Sequence, residues 1–270
     1  MDSFHGVAAL VTGASKGLGR AYALELARRG ANLVLVARST AALEALAAEV
    51  RAAHGVTAEV IAVDLAAPSG PENLVKAVAD RGLQVDLLVN NAGSGSAGRF
   101  FERPFAQNTR SVALNVRALM ELTYLFGREM VARGAGGIIN VGSTAGFQPM
   151  PYQASYAATK AFVLSFTEAV AEELRGSGVR VMAAHPGATD TGFFDGTTAT
   201  MDPRVTDSPE SVAARTLDDY ARGRIASYPG RGVNRLTTLV ARVMPRRAVT
   251  NAVAALNRKL GLDVVTDLTE

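Results

Sequence analysis

A glycine-rich loop joins the first apolar run of the chain to the amphipathic stretch that follows it. The loop reads Thr-Gly-Ala-Ser-Lys-Gly-Leu-Gly over residues 12–19. Gly13 permits a tight turn, Gly17 lets the backbone approach a bound group, and Gly19 lets a helix pack close to the preceding strand. A second apolar run follows at residues 32–37. The chain is therefore predicted to begin as a βαβ unit, which belongs to a parallel sheet.

Apolar runs alternate with amphipathic stretches over the first 230 residues. We predict strands over residues 7–12, 32–37, 58–63, 86–89, 137–141, 179–184 and 225–228. We predict helices over residues 17–29, 40–54, 71–81, 104–133, 152–175 and 209–222, the fourth of them broken. This alternation is typical of a doubly wound α/β fold, with seven parallel strands in one sheet and helices on both faces.

Size and composition fit one α/β domain. Of the 270 residues 48% are hydrophobic, and 26 glycines suit close packing of helices on a sheet. We assign residues 1–230 to a single domain and residues 231–270 to a helical extension packed on it. The chain has no cysteine, which excludes disulfides, thiolate metal sites and cysteine nucleophiles, and we predict no metal site. Without an export signal or a membrane-spanning run, we expect a soluble, cytoplasmic protein.

The C-terminal extension is basic and amphipathic. Apolar positions at helical spacing predict two short helices, one before Pro245 and one after it. Residues 222–259 contain no acidic residue and nine basic ones, namely Arg222, Arg224, Arg231, Arg235, Arg242, Arg246, Arg247, Arg258 and Lys259. Three interpretations stay open: packing within a homodimer or homotetramer, which we favour, contact with an anionic membrane surface, or docking of an acidic carrier protein or CoA-linked substrate. Without a base-reading motif, we expect no nucleic acid partner.

The glycine loop predicts a nucleotide site, because the first amides of a helix and the positive end of its dipole suit phosphate groups. The second strand ends at Ala37 and is followed by Arg38, whereas an acidic residue there would bond the ribose of NAD. Together with Lys16 in the loop, Arg38 favours NADP(H), and NAD(H) stays an alternative. Asp64-Leu65 follows the third strand and is a candidate for the adenine edge. The alternative is that Asp64 caps the next loop.

Tyr156 and Lys160 are the main candidates for acid–base chemistry. A free phenol has a pKa of about 10 and is a poor acid or base near neutral pH. Four residues apart on a helix, the two side chains share one face. An ammonium about 4 Å from the phenol, at an effective dielectric near 20, favours the phenolate by about 4 kcal/mol. We therefore expect Lys160 to lower the pKa of Tyr156.

Six motifs of the chain occur together in a specific order. They are the glycine loop, Asn90-Asn91-Ala92-Gly93, Asn115, Gly142-Ser143, Tyr156-x-x-x-Lys160 and Pro186-Gly187. In this order and spacing, residues 7 to about 228 resemble the classical short-chain dehydrogenase/reductase (SDR) family. Residues 143–194 are also similar to a bacterial ketoacyl reductase-like branch of that family. The resemblance implies a Rossmann-type sheet with strand order 3-2-1-4-5-6-7.

The resemblance also implies site roles. Tyr156 exchanges a proton with the substrate oxygen as hydride passes between carbon and nicotinamide, and Lys160 lowers the pKa of Tyr156 and bonds the ribose. Ser143 holds the substrate oxygen, and Asn115 anchors a water that leads protons to Lys160. The simpler alternatives are that Ser143 caps a turn and that Asn115 bonds within a kinked helix. The predicted cofactor contacts are Gly13, Ser15, Lys16, Gly17, Leu18, Gly19, Arg38, Asp64, Leu65, Asn91, Ala92, Gly93, Tyr156, Lys160, Pro186, Gly187, Thr189 and Thr191.

The variable loops predict an apolar substrate pocket lined by Phe147, Met150, Phe193 and Phe194. His185 ends a strand beside this region, and we expect it to pack or to hydrogen-bond rather than to take part in catalysis. The implied function is an NADPH-dependent carbonyl reductase acting on an apolar ketone or 3-oxoacyl-type substrate. One alternative is an NAD(P)+-dependent alcohol dehydrogenase for hydroxysteroid-like or secondary-metabolite alcohols. The other is a non-catalytic NADP(H)-sensing protein on the same fold.

Overall fold

The computed structural model describes residues 4–192, 197–198 and 206–266. Within these ranges, seven parallel strands form one sheet in the order β3-β2-β1-β4-β5-β6-β7. The strands are β1 (Ala8–Thr12), β2 (Asn32–Ala37), β3 (Ala58–Ala62), β4 (Leu87–Asn90), β5 (Gly136–Val141), β6 (Val179–Ala184) and β7 (Ala226–Ser227). The predicted fold class and strand order are confirmed. The order reverses between β1 and β4, and the carboxyl ends of these strands border a crevice at that point.

Helices cover both faces of the sheet. They are α1 (Gly17–Arg28), α2 (Thr40–His54), α3 (Gly70–Asp80), α4 (Phe105–Val112), α5 (Leu119–Arg133), α6 (Ala154–Glu173), α7 (Pro209–Ala221), α8 (Gly232–Val243) and α9 (Arg246–Lys259). The predicted break in the fourth helix is a π-helical segment, Ala113–Ala118, between α4 and α5. The next helix begins at Ala154 rather than at the predicted residue 152. The reason is that Tyr152 has a left-handed φ of 70°, which a right-handed helix excludes.

Two apolar cores lie on the two faces of the sheet. Helices α1, α2 and α7 cover one core, and α3, α5 and α6 pack on the other. Successive residues of a strand point to opposite faces, so Val11 and Leu35 enter the first core while Leu10 and Val34 enter the second. Burial on both faces explains why these strands read as continuous apolar runs in the sequence.

A buried polar network fixes helices at the carboxyl edge of the sheet. Asn90 at the end of β4 donates from Nδ2 to Asn140 Oδ1 of β5 at 2.9 Å and to Thr123 Oγ1 of α5 at 3.1 Å. Asn140 donates in turn to Thr167 Oγ1 of α6 at 3.1 Å. Hydrogen bonds buried in a low-dielectric interior favour one arrangement of their groups. The network therefore sets the positions of α5 and α6 beside the crevice.

The C-terminal helices reach the loops that follow β4 and β5. Helix α8 packs against the short 3₁₀ turn Thr144–Phe147. Asn257 of α9 donates from Nδ2 to the Pro151 carbonyl at 2.8 Å, and Leu262 packs with Ala97 and Tyr152. The division into a domain and an extension at residue 230 stays a prediction. None of the helices in the described ranges has the length and hydrophobicity of a membrane span.

The close approach of α1 to β1 gives a stability test. A Cβ at Gly19 would collide with the Gly13 carbonyl oxygen, whereas a Cβ at Gly232 would meet open space. Because overpacking costs about 1–3 kcal/mol, we expect Gly19→Ala to lower the free energy of unfolding by that amount. Gly232→Ala should change it by less than about 0.5 kcal/mol. Urea unfolding followed by circular dichroism measures both, and equal stabilities for the two variants would contradict the packing argument.

Candidate active site

The glycine loop forms a cradle of backbone between β1 and α1. Gly13 and Gly17 have φ of 69° and 54°, in the left-handed region that favours glycine. A Cβ at Gly13 would lie 2.9 Å from Cα of Ala92, so a side chain there would collide with the turn after β4. Within the described residues no side chain caps α1 at Lys16, and the first amides of the helix are left for an anionic group. Ser15 and Leu18 lie partly buried in the same loop.

Thr12 joins the glycine loop to the Asn-Asn-Ala-Gly turn. Its Oγ1 donates to the Val89 carbonyl at 3.3 Å and accepts the N–H groups of Asn91 at 3.0 Å and Ala92 at 2.9 Å. Asn91 Nδ2 donates to the Thr12 carbonyl at 2.9 Å. The side chain of Asn91 therefore holds the ends of β1 and β4 together. Sequence reasoning missed Thr12, although it directly precedes the loop.

The segment 186–192 closes against the other side of the glycine loop. A Cβ at Gly17 would lie 2.9 Å from Cβ of Thr191. Lys16 Nζ donates to the Gly192 carbonyl at 3.2 Å, and Thr189 donates from Oγ1 to the Gly187 carbonyl at 3.1 Å. The two predicted cofactor segments are therefore in direct contact in the structure.

Asp207 ties this segment to the C-terminal extension. Its backbone bonds to Ala188 and Asp190 in a short parallel bridge. Its Oδ2 accepts from Asn234 Nδ2 of α8 at 3.1 Å. A Cβ at Gly187 would collide with the same Asn234 side chain. Helix α8 thus contacts the predicted cofactor-binding segment 186–191 directly, a connection that the sequence pattern did not indicate.

At the far end of the crevice, Arg38 is exposed directly after β2. Asp64 follows β3, and its Oδ1 accepts the Ala66 amide at 3.0 Å. Both of its carboxylate oxygens also accept from the Arg110 guanidinium, at 2.9 and 3.0 Å. Burial acts to raise the pKa of Asp64, but the Ala66 amide and the Arg110 guanidinium lower it overall. The structure thus gives the loop-capping alternative for Asp64, and its contact with adenine stays a prediction. Leu65 is buried in the core beside it.

Ser143, Tyr156 and Lys160 meet beside the carboxyl end of β5. Ser143 is buried, and its Oγ accepts the Ala145 amide at 3.1 Å and forms a side-chain hydrogen bond with Tyr156. Lys160, one turn along α6, is also buried, with Nζ 5.8 Å from the centroid of the Tyr156 ring. Its ammonium donates to the Val141 carbonyl at 2.8 Å. Ser143 therefore both caps its turn and contacts the tyrosine.

Asn115 lies in the π-helical segment and is buried. Its Nδ2 donates to the Ser94 carbonyl at 2.7 Å, to Ser111 Oγ at 3.2 Å and to Thr159 Oγ1 at 3.0 Å, and its Oδ1 accepts the Ser94 amide at 2.9 Å. Thr159 Oγ1 donates in turn to the Tyr156 carbonyl at 2.7 Å. Ser94 and Thr159 are further residues that sequence reasoning missed, and the position of Thr159 beside Lys160 was the available signal.

A family comparison agrees with this geometry. The family model for short chain dehydrogenases matches residues 7–202. The chain belongs to the short-chain dehydrogenase family. The family predicted from the six motifs is confirmed, and the match covers the glycine loop, the Asn115 segment, the Ser143–Tyr156–Lys160 cluster and the segment after β6.

Three relatives illustrate the likeness of this SDR. An uncharacterised oxidoreductase of Staphylococcus epidermidis is 32% identical over 189 residues, 70% of this chain and 80% of the relative. A very-long-chain 3-oxoacyl-CoA reductase of Laccaria bicolor is 37% identical over 180 residues, 65% of this chain and 53% of that enzyme, so the match spans about half of its length. A short-chain dehydrogenase from Sphingobium yanoikuyae, solved in complex with NADPH, superposes with a TM-score of 0.78 at 33% identity, covering 86% of this chain and 91% of that one.

Burial dominates the ionisation of the central pair in this SDR. It raises the pKa of Tyr156, which the hydrogen bond with Ser143 partly offsets. It lowers the pKa of Lys160 to about 8. Burial thus raises the pKa of Tyr156 overall instead of the expected net fall, and the lowering effect of Lys160 on that pKa stays a prediction. The sequence argument placed the pair about 4 Å apart in a partly aqueous medium and omitted the desolvation of both groups.

Aromatic side chains and helix α8 surround Phe147, one of the predicted substrate residues. Phe147 lies edge-on to His185, with ring centroids 5.0 Å apart, and the Arg242 guanidinium of α8 lies 5.1 Å from the Phe147 centroid. His185 is fully buried, and in the described chain neither ring nitrogen has a hydrogen-bond partner. Burial, with the charges of Lys160 and Arg242, lowers the pKa of His185 to about 3. This histidine is a neutral packing group.

The other predicted pocket residues have different outcomes. Met150 is partly buried in the loop before α6, whereas Phe193 and Phe194 lie outside the described residues. Tyr152 in the same loop was not predicted as a site residue. Its φ is in the left-handed region. Its carbonyl oxygen accepts the Gly98 amide at 2.9 Å, and its hydroxyl accepts from the Arg258 guanidinium of α9 at 3.2 Å. Backbone strain of this kind concentrates at functional sites.

The buried ammonium of Lys160 gives a linkage test. Its pKa is about 8 in the fold against a usual value of 10.5, so between these values the unfolded chain binds more protons and stability rises with pH. Below pH 8 the charge is buried and opposes folding. We expect the Lys160→Met variant to have a larger free energy of unfolding than the native chain at pH 7. This difference should shrink by up to about 3 kcal/mol as the pH rises from 7 to 10.5, since each pKa unit corresponds to about 1.36 kcal/mol. Urea unfolding at several pH values measures it, with the exposed Lys76→Met as control. A constant difference would contradict the burial argument.

Proposed function

We propose that this SDR is an NADP(H)-dependent carbonyl reductase and alcohol dehydrogenase with Tyr156 as its general acid and base. The observation that carries the proposal is the cluster in which Ser143 hydrogen-bonds Tyr156 while Lys160 lies buried one helical turn away. A proton donor, a group to hold an oxygen and a cation within one crevice suit the interconversion of a carbonyl and an alcohol.

The residues present fit a dinucleotide. The glycine cradle and the uncapped start of α1 suit its pyrophosphate, and the exposed Arg38, in place of an acidic residue, suits a 2′-phosphate. Gly93 and the segment 186–191 border the same crevice and would hold the nicotinamide end. The NADPH complex of the similar Sphingobium yanoikuyae enzyme supports this choice. When bound, the cofactor supplies or accepts hydride.

In the proposed mechanism, the protein holds an oxygen and moves a proton. Ser143 Oγ and the Tyr156 hydroxyl, already hydrogen-bonded to each other, would both contact the carbonyl oxygen of the substrate. Because burial raises its pKa, Tyr156 stays protonated near neutral pH and gives its proton to the developing alkoxide. Lys160 places a positive charge beside the resulting phenolate, and Asn115 fixes the loop after β4 next to it. Alcohol oxidation uses the same groups in reverse.

The proposed substrate is a large apolar ketone or a 3-oxoacyl thioester. Phe147 and Met150 would line the substrate site, and Phe193 and Phe194 are assigned to it from the sequence alone. Arg242 stacks on Phe147. Its positive charge would suit a substrate that carries an anionic group at a distance from the reacting carbonyl. The name of the Laccaria bicolor relative, a very-long-chain 3-oxoacyl-CoA reductase, is consistent with this class. A nucleotide sensor is the second candidate, since a fold alone does not make an enzyme.

The role of Tyr156 is tested by Tyr156→Phe. Loss of the hydroxyl removes the proton donor but leaves the ring packing, so kcat for reduction of ketones and 3-oxoacyl thioesters should fall by about 10²–10⁴-fold. NADPH oxidation at 340 nm measures the rate, and Tyr124→Phe, an exposed tyrosine on α5, is the matched control. Undiminished turnover in Tyr156→Phe would overturn the mechanism. Tight NADPH binding with no turnover of any substrate would favour the sensor.

The cofactor preference is tested at Arg38. Arg38→Asp replaces a cation with an anion that repels a 2′-phosphate and accepts from a ribose hydroxyl. We expect the ratio of kcat/KM for NADPH to kcat/KM for NADH to fall by at least about tenfold, since one charge-assisted hydrogen bond is worth roughly 1.5–3 kcal/mol. Arg81→Asp, an exposed residue after α3, controls for net charge. An unchanged ratio would show that Arg38 does not read the phosphate.

A further inference from the structure

Helix α8 presents an apolar stripe to solvent. Val233, Leu236 and Val243 are 57%, 59% and 83% exposed, and with Val240 they recur at a spacing of three and four residues, which places them on one side of a helix. Leu239 and Met244 extend the stripe. We call these six residues the α8 stripe.

The opposite side of α8 is polar and faces the protein. Thr238 is 2% exposed and donates from Oγ1 to the carbonyl of Arg235 within its own helix. Asn234 bonds to Asp207. A surface helix of a globular protein normally buries its apolar side, so α8 has the reverse arrangement. Contiguous exposed apolar surface of this kind marks an interaction site rather than a packing defect.

Cations border the α8 stripe. Arg231, Arg235, Arg242, Arg246 and Arg247 lie on α8 or next to its ends and are exposed. The whole segment 222–259 has nine basic residues and no acidic one. Arg231 pairs with Asp207 at 3.8 Å, and the segment itself supplies no acidic residue to the other four arginines. An exposed apolar stripe with such a basic border is complementary to an anionic lipid surface, which attracts nearby Arg and Lys side chains.

A second copy of the chain is a poorer occupant. Two-fold pairing of α8 with α8 brings the same basic segment of each copy together, and like charges facing each other oppose association. A different apolar surface is available for self-association, since Phe105, Val112, Met120 and Tyr124 of the α4–α5 region are exposed. That region carries acidic as well as basic residues.

We propose that the α8 stripe and its arginine border bind an anionic membrane surface. The helix would lie in the plane of the lipid interface, with the sheet outside the membrane. Helix α8 also packs on the turn that holds Phe147, so the membrane-facing helix borders the proposed substrate crevice. An apolar substrate dissolved in the bilayer would then have a short path to the enzyme. This last consequence rests on the proposed function, whereas membrane binding itself does not.

The test is co-sedimentation of the full chain with vesicles of phosphatidylcholine alone and of phosphatidylcholine mixed with an equal part of phosphatidylglycerol. We expect binding to the mixed vesicles at least tenfold tighter than to the neutral ones, weakening as salt rises. The double variants Leu236→Gln/Val243→Gln and Arg246→Gln/Arg247→Gln should each lose about tenfold in affinity. Matched controls are Val131→Gln on α5 and Arg175→Gln after α6, both exposed, with Tm checked for every variant.

Several outcomes would overturn the proposal. They are equal affinity for both vesicle types, absence of binding to either, or full binding by the two double variants. Sedimentation velocity without lipid identifies the competing occupant. A dimer that Leu236→Gln/Val243→Gln dissociates, together with absence of vesicle binding, would assign the stripe to a second copy. Loss of turnover in Tyr156→Phe leaves these binding results unchanged, so failure of the proposed function and failure of this inference are distinguishable.

Discussion

The hydroxyl of Thr12 is the contact on which the rest of the site depends. In a doubly wound sheet the strand order reverses between the first and the fourth strand, and their carboxyl ends diverge into a crevice. Thr12 closes the base of that crevice, because its one oxygen donates to β4 and accepts two amides from the turn after β4. The glycine loop and the Asn-Asn-Ala-Gly turn are thereby held at a fixed separation. Several of the proposed dinucleotide contacts, including Gly13, Gly17 and Gly93, lie on these two loops.

Several polar side chains are buried around the proposed site, and hydrogen bonds among them offset the cost of removing them from water. Asn90, Asn140 and Asn115 all have their amide groups donating to nearby oxygens, and the ammonium of Lys160 donates to a strand-end carbonyl. The π-helical segment is part of this arrangement, because its wider turn includes Asn115 and lets its side chain bond Ser94 of the neighbouring loop. Such segments recur at functional sites. The result is a set of buried polar contacts that holds the helices and loops around Lys160 in place.

The sequence predicted the strands and most helix bounds, because doubly buried strands read as apolar runs and glycine loops occupy fixed places between them. The strand order came from the family resemblance. It also brought Ser143, Tyr156 and Lys160 into one cluster through helical spacing and family motifs. It did not predict the pKa values, since desolvation depends on the packing of residues distant in sequence. The same limit applies to Thr159, Asp207 and the outward stripe of α8. The roles of Thr159 and Asp207 depend on contacts with residues that are distant in the sequence. For α8, periodicity identifies an amphipathic helix but does not tell which side faces the protein.

The contact between Gly187 and Asn234 has an evolutionary consequence. Any side chain at position 187 would occupy the volume that the Asn234 amide fills, and Asn234 in turn orients α8 through Asp207. A substitution in the segment after β6 is therefore expected to shift the position of helix α8, and a substitution in α8 is expected to shift that segment. The effects of mutations at the two places are therefore expected to be non-additive, so a change of the extension in evolution is expected to require a matching change in the loop after β6.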